Sequence, residues 1–117
     1  MPEGRSILVV LTTGKEALVR ANAVLQLTGV LQQHGTGQVE LLFLGPGIEV
    51  LRANQRNSPQ FAEQLDGLRR AGVQVAACRN SLENLGLTED QMLPATVVQG
   101  GVEVATRIAE GWEVLTF

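Results

Sequence analysis

Residues 7–11 read Ile7-Leu8-Val9-Val10-Leu11, five apolar side chains in succession, three of them β-branched. A half-exposed strand alternates apolar with polar, so this run describes a strand covered on both faces, as in a parallel sheet. Working outward, strand one spans residues 6–11, and similar short runs recur at 39–44, 73–77 (leading to Cys78), 96–99 and 112–117. Between them the apolar period lengthens to 3.6. Residues 16–33 place Ala17, Ala21, Val24, Thr28 and Leu31 on one helical face. Ser58-Pro59 opens a second helix with Phe61, Leu65 and Leu68 as its stripe, and Gly72 ends it. Short helices are expected at 81–85 and, as single turns, at 48–53 and 88–93. A last helix covers 101–110, with Glu103 and Arg107 spaced as an i,i+4 pair, and Gly111 stops it. Strands alternating with helices predict a single α/β domain built on a parallel sheet.

Composition excludes several function classes. The chain has 117 residues, one cysteine and a formal charge of −3. A lone cysteine makes no internal disulfide, which points to a reducing compartment. The residues before Ser6 lead into an apolar run too short for a secretory core, and no segment reaches membrane-spanning length. The expectation is a cytoplasmic protein with no membrane contact. Arginines are scattered, tyrosine is absent and aromatics are few, so neither a basic patch nor a base-stacking platform is offered to nucleic acid. One cysteine and one histidine, His34, are too few ligands for zinc. His34 reads as a surface residue at a helix end.

Helix one carries a second apolar stripe, Val19, Ala23 and Val30, with Leu27 at its edge. A helix apolar nearly all round is buried on all sides, and in so small a domain another subunit is the natural cover.

Cys78 closes strand three and is followed by Arg79-Asn80-Ser81-Leu82-Glu83. Asn80 with Glu83 three positions on matches a reciprocal helix cap. A sulfur ahead of a helix start meets unpaired backbone N–H groups, and these, with Arg79, favour the thiolate. The plainer reading is a small apolar residue ending a buried strand. Ligands in parallel α/β sheets collect at the carboxyl ends of strands. Those ends here carry Thr12-Thr13-Gly14-Lys15, Gly45-Pro46-Gly47, Cys78-Arg79-Asn80 and Gln99-Gly100-Gly101. The first is too short for a P-loop, a flavin ring would find few aromatics, and a phospho-receiver would need acids where Thr12 and Cys78 stand. No cofactor is expected. What remains is a thiolate among backbone donors, suited to attack on a persulfide or disulfide without a separate base.

The chain resembles the DsrE/DsrF-like family. The resemblance is carried by Ala17-Leu18-Val19-Arg20-Ala21-Asn22-Ala23, by Val39 through Ile48 with its Gly45-Pro46-Gly47 turn, and by Gly72-Val73 through Ala77-Cys78-Arg79-Asn80-Ser81-Leu82. Gly100-Gly101-Val102 and Gly111-Trp112 complete it. It implies a three-layer α/β/α domain with a five-stranded parallel sheet in order 4-3-2-1-5, assembled as a homotrimer or homohexamer. It also implies a sulfur-carrier or sulfurtransferase-like role centred on Cys78, with donor and acceptor proteins as partners. Gly45, Gly47, Arg79, Gly100 and Gly101 are the candidate binding residues at the strand ends, Asn80 and Ser81 would cap the helix and hold the donors in place, and Asn22, at the flank of helix one, would approach the same site. The alternative is a non-catalytic binder of a small anion or molecule, or an assembly subunit, with Cys78 as packing. Whether the chain is an enzyme is left open.

Overall fold

The structure, a computed structural model, describes residues 4–35 and 37–117. The residues read above as lacking a leader lie partly outside that range. Five strands, β1 (Ile7–Leu11), β2 (Val39–Phe43), β3 (Gln74–Cys78), β4 (Thr96–Val98) and β5 (Glu113–Thr116), form one sheet. Its order is β4-β3-β2-β1-β5, and every pairing is parallel. Four α-helices join them: α1 (Leu18–His34), α2 (Ser58–Arg70), α3 (Arg79–Asn84) and α4 (Gly100–Ala109). Short 3-10 turns occupy Lys15–Ala17, Gly45–Leu51 and Glu89–Gln91.

Topology decides which face is covered. Strands one to four advance in one direction, so right-handed crossovers stack α1, α2 and α3 on one side, and only the return to β5 crosses the other. The pleat sorts the side chains accordingly. Val9, Leu11, Val39, Leu41, Phe43, Val75 and Ala77 join Ala21, Val24, Leu25, Phe61, Leu65 and Leu82 in the larger core. Leu8, Val10, Leu42 and Ala76 form a smaller one, against which Val104, Trp112 and Val114 pack. The single helix α4 therefore serves a whole sheet face.

A buried ion cluster helps hold it there. Glu40, in β2, is 1% exposed and points to the α4 side, where an apolar residue would be expected. Arg107 of α4 donates from Nε to Glu40 Oε1 at 2.8 Å, and also pairs with Glu103 at 3.3 Å and Glu110 at 3.0 Å. Its guanidinium stacks 4.4 Å from the centre of the Trp112 ring. The Glu103–Arg107 pair read from the i,i+4 spacing is thus present, but as part of a larger assembly. Burial is the main cause that raises the Glu40 carboxyl to a pKa of about 7. A hydrogen bond with Glu103 adds to the rise, and Arg107 opposes it.

Several boundaries differ from those expected. The helix predicted for residues 16–33 begins as a 3-10 turn and becomes α-helical at Leu18. The segment read at 48–53 is a 3-10 helix from Gly45 to Leu51. The helix expected from Ser81 starts two residues earlier, at Arg79, because Cys78 itself occupies the N-cap position. The second stripe of α1 faces outward: Val19 is 86% and Val30 50% exposed.

Two outcomes follow from the packing. β5 pairs with β1 from Ile7↔Glu113 to Val10↔Thr116, and the Phe117 N–H reaches the Val10 carbonyl at 2.9 Å. Truncation from Glu113 onward removes this pairing together with the half-buried Val114, Leu115 and Phe117, and should therefore lower stability by several kcal/mol, large core side chains being worth about 2–5 kcal/mol when fully buried. An unchanged melting temperature would remove β5 from the cooperative unit. For Glu40 the proton is held more tightly in the folded state than in the unfolded chain. Its contribution is thus fully present below the ordinary carboxyl range and is lost as pH rises from about 4.5 to about 7. A shift of that size corresponds to on the order of 3 kcal/mol. Denaturant midpoints should fall between about pH 5 and pH 8 in the native protein and stay level in Glu40→Gln.

Candidate functional site

The sulfur of Cys78 lies on the α4 side of the sheet, at the carboxyl end of β3. Two helices begin beside it. α3 follows directly from Cys78, and α4 starts at Gly100, against the sulfur. A Cβ at Gly100 would lie 2.7 Å from Cys78 Sγ and 2.7 Å from Leu44 Cδ1. Only a residue without a side chain lets the first turn of α4 come this close.

Cys78 is 4% exposed. Burial is the largest influence on its thiol and pushes the pKa up. Against it act the Ser81 hydroxyl and the backbone N–H groups of Ser81, Gly100 and Asn80. The balance leaves the thiol below its ordinary value. All four are donors placed to favour the charged form, although α3 has no formed side-chain cap bond to the thiol. The N–H groups belong to the starts of α3 and α4, where no carbonyl of the helix claims them. Ser81 is itself buried, and its oxygen accepts the Gly45 N–H at 2.8 Å. Gly45 adopts φ +56 at the turn after β2. A chain of donors thus runs from Gly45 through the Ser81 hydroxyl to the sulfur.

The residues expected around the sulfur divide into three groups. Ser81, Gly100 and the backbone of Asn80 touch it, and Gly45 acts one step removed. Asn80 does so as the second helical residue: α3 has no side-chain cap, so the reciprocal cap with Glu83 is not formed and the Asn80 side chain is exposed. Arg79 and Gly101 are exposed, and a Cβ at Gly101 would meet nothing within 4 Å. Gly47 packs against the Leu11 carbonyl rather than the sulfur. Asn22 accepts a hydrogen bond from Gln64 of α2, which seats it at the α1–α2 contact. His34 is the exposed last residue of α1.

Sequence reasoning missed Glu40. Its signal was a single carboxylate inside the run Val39-Glu40-Leu41-Leu42-Phe43, which demands a buried partner once the strand is central. Among the described residues no group of three or more His, Cys, Asp or Glu is placed to hold a metal. In the same range no helix is long and apolar enough to cross a membrane.

Ser81 provides the sharpest check of this geometry. Ser81→Ala removes one donor to the sulfur and strands the Gly45 N–H. Stability should drop by about 1–3 kcal/mol, and the thiol should titrate at higher pH than in the native protein. Thiolate absorbance followed against pH measures the second effect, and an unshifted titration would separate Ser81 from the sulfur.

Solved structures of similar shape fix the fold class. A protein of unknown function, MTH1491 from Methanobacterium thermoautotrophicum, superposes with a TM-score of 0.73 at 20% identity, covering 97% of this chain and 98% of its own. The ychN protein of E. coli gives 0.78 at 17% identity, with 97% and 99% covered. BT1422 of Bacteroides thetaiotaomicron, a conserved protein of unknown function, gives 0.72 at 19%, with 95% and 94% covered. No curated protein matches the sequence. The model of one family does, over residues 5–117, nearly the whole chain. The β4-β3-β2-β1-β5 sheet with its lone helix on one face is thus the scaffold of a member of the DsrE/DsrF-like family, to which this chain belongs.

Proposed function

We propose that the protein is a sulfur carrier, sulfurtransferase-like in its chemistry, with Cys78 as the residue that holds the sulfur. The observation that carries this reading is the seating of the Cys78 sulfur at the starts of two helices, directly after β3 and against Gly100, with the Ser81 hydroxyl beside it. Such a shell stabilises negative charge on sulfur whether it is a thiolate or the terminal atom of a persulfide. The Cys78 thiolate attacks the outer sulfur of a donor persulfide. A new S–S bond forms at Sγ, the donor's S–S bond breaks, and the donor leaves as its thiolate. An acceptor thiolate then repeats the exchange, and Cys78 is regenerated with no net oxidation. No separate general base is needed, because the nucleophile enters already deprotonated.

The partners of this reading are a donor protein and an acceptor protein in the reducing cytoplasm, together with further copies of this chain. A homotrimer or homohexamer is supported by the outward stripe of α1, where Val19 and Val30 expose large apolar surface, and by the thin cover of the sheet on the α4 side. Replacing Val19 or Val30 by Glu should loosen the assembly, and sedimentation of the native chain as a stable monomer at micromolar concentration would refute it.

One observation favours the alternative, in which Cys78 only packs and the protein is a non-catalytic binder or assembly subunit: the residue is 4% exposed. Loading decides between the two. Incubation with a persulfide donor should add one sulfur to the native chain and none to Cys78→Ser. The increment, read by mass spectrometry, should leave on addition of a small thiol. A chain that never gains the extra sulfur is a packed cysteine, and the carrier reading falls.

A further inference from the structure

The end row of the sheet on the α4 side decides what can reach Cys78. Neighbouring strands lie about 4.8 Å apart, and residues in register on parallel strands share a face. Cys78 is in register with Val98 of β4. On its other flank the Phe43↔Ala77 pairing brings Leu44, one residue past β2 and still extended. Leu44 and Val98 both pack against the smaller core, on the face to which Cys78 points. Gly100 gives the distances: a Cβ there would lie 2.7 Å from Leu44 Cδ1 and 2.7 Å from Cys78 Sγ, so methyl and sulfur crowd the same point.

The sulfur therefore sits in a trough with two kinds of wall. Gly100 and Ser81 are buried and belong to the first turns of α4 and α3, so neither yields unless a helix moves. Leu44 and Val98 are half-buried aliphatic side chains, with one end in the core and the other at the surface. Side-chain rotation is fast and helix displacement slow, so a reactant meets these two first. Width then selects among reactants. A thiolate attacks a sulfur in line with the bond that breaks. The outer sulfur of a persulfide carries only the inner sulfur behind it, and the donor trails straight out of the trough. The attacked sulfur of a disulfide carries a carbon chain as well, which must fit beside Sγ where Leu44, Val98 and Gly100 already stand.

We infer that Leu44 and Val98 are specificity-determining residues, which admit an unsubstituted terminal sulfur to Cys78 and exclude disulfides. In the admitted step an S–S bond forms between Sγ and the terminal sulfur, the donor's own S–S bond breaks, and the donor leaves as its thiolate with the electron pair. In the excluded step a mixed disulfide would form at Sγ and the other half of the disulfide would leave as thiolate. The cysteine is thereby kept from mixed disulfides that would block it as a carrier. The inference rests on the carrier reading for its biological meaning, while the width of the trough is measurable without any sulfur transfer.

The test compares methyl and benzyl methanethiosulfonate as reagents for Cys78. Both lose methanesulfinate and differ only in the group on the attacked sulfur, so the ratio of their rates cancels the fraction of thiolate and reports width alone. The methyl-to-benzyl ratio of the native protein should exceed that of the chain unfolded in denaturant by at least about tenfold. Leu44→Ala and Val98→Ala should each bring the ratio down towards the unfolded one. Leu44→Met, unbranched and of similar volume, should keep the native ratio. Val104→Ala thins the same core one turn further along α4 and should also keep it. A native ratio equal to the unfolded one, or a ratio unmoved in both Leu44→Ala and Val98→Ala, would overturn the inference. So would a fall in Val104→Ala as large as in Leu44→Ala, since α4 and not the two side chains would then be the barrier. If the ratios behave as stated while persulfide loading fails, the selection stands and the carrier reading is lost. If loading succeeds with equal ratios, the reverse holds.

Discussion

The contact between Gly100 and Cys78 organises this molecule's chemistry. The sheet order leaves a single helix to cover one face, and that helix begins with its backbone against the sulfur. Any side chain at position 100 would collide with both Sγ and Leu44, so the approach depends on the missing Cβ. The consequence is electrostatic as well as steric. Two helix starts, those of α3 and α4, meet at one atom, and their N–H groups lack partners within their own helices. A thiolate supplies what those donors need.

Burial and donation pull the Cys78 thiol in opposite directions, and donation prevails. Removing the sulfur from water disfavours its charge, while the Ser81 hydroxyl and three N–H groups favour it. Ser81 can donate to the sulfur because its own oxygen is committed to the Gly45 N–H, which orients the hydroxyl. The site therefore extends across the turn after β2, the junction of β3 with α3 and the start of α4. Three carboxyl ends of neighbouring parallel strands contribute to it, as expected for ligand and reaction sites in such sheets.

Much of this was legible in the amino-acid sequence. The continuous apolar run of residues 7–11 marked a strand buried on both faces, and both core clusters include its side chains. The strand-to-helix step at Cys78 placed the sulfur at a helix start, and the glycines at 45 and 100 marked the loops that meet it. Asn80 misled because a good capping residue three positions before Glu83 is a local signal, whereas β3 runs straight into α3 and gives the N-cap position to Cys78. Asn22 lay on a helix flank whose partner, Gln64, sits 42 residues away, and helical periodicity carries no information about which helix lies alongside. Glu40 was overlooked for a related reason. Its partner Arg107 is 67 residues distant, and nothing local distinguishes a paired buried carboxylate from one at an exposed strand edge.

If the donors around Cys78 outweigh its burial, the ionisation of that thiol must show it. Thiolate absorbance of the native protein, taken as the difference from Cys78→Ser, should titrate below the free value of about 8.5 and return to it when the chain is unfolded in denaturant. A native thiol that titrates at or above the unfolded value would contradict the claim and leave Cys78 as a residue of the core.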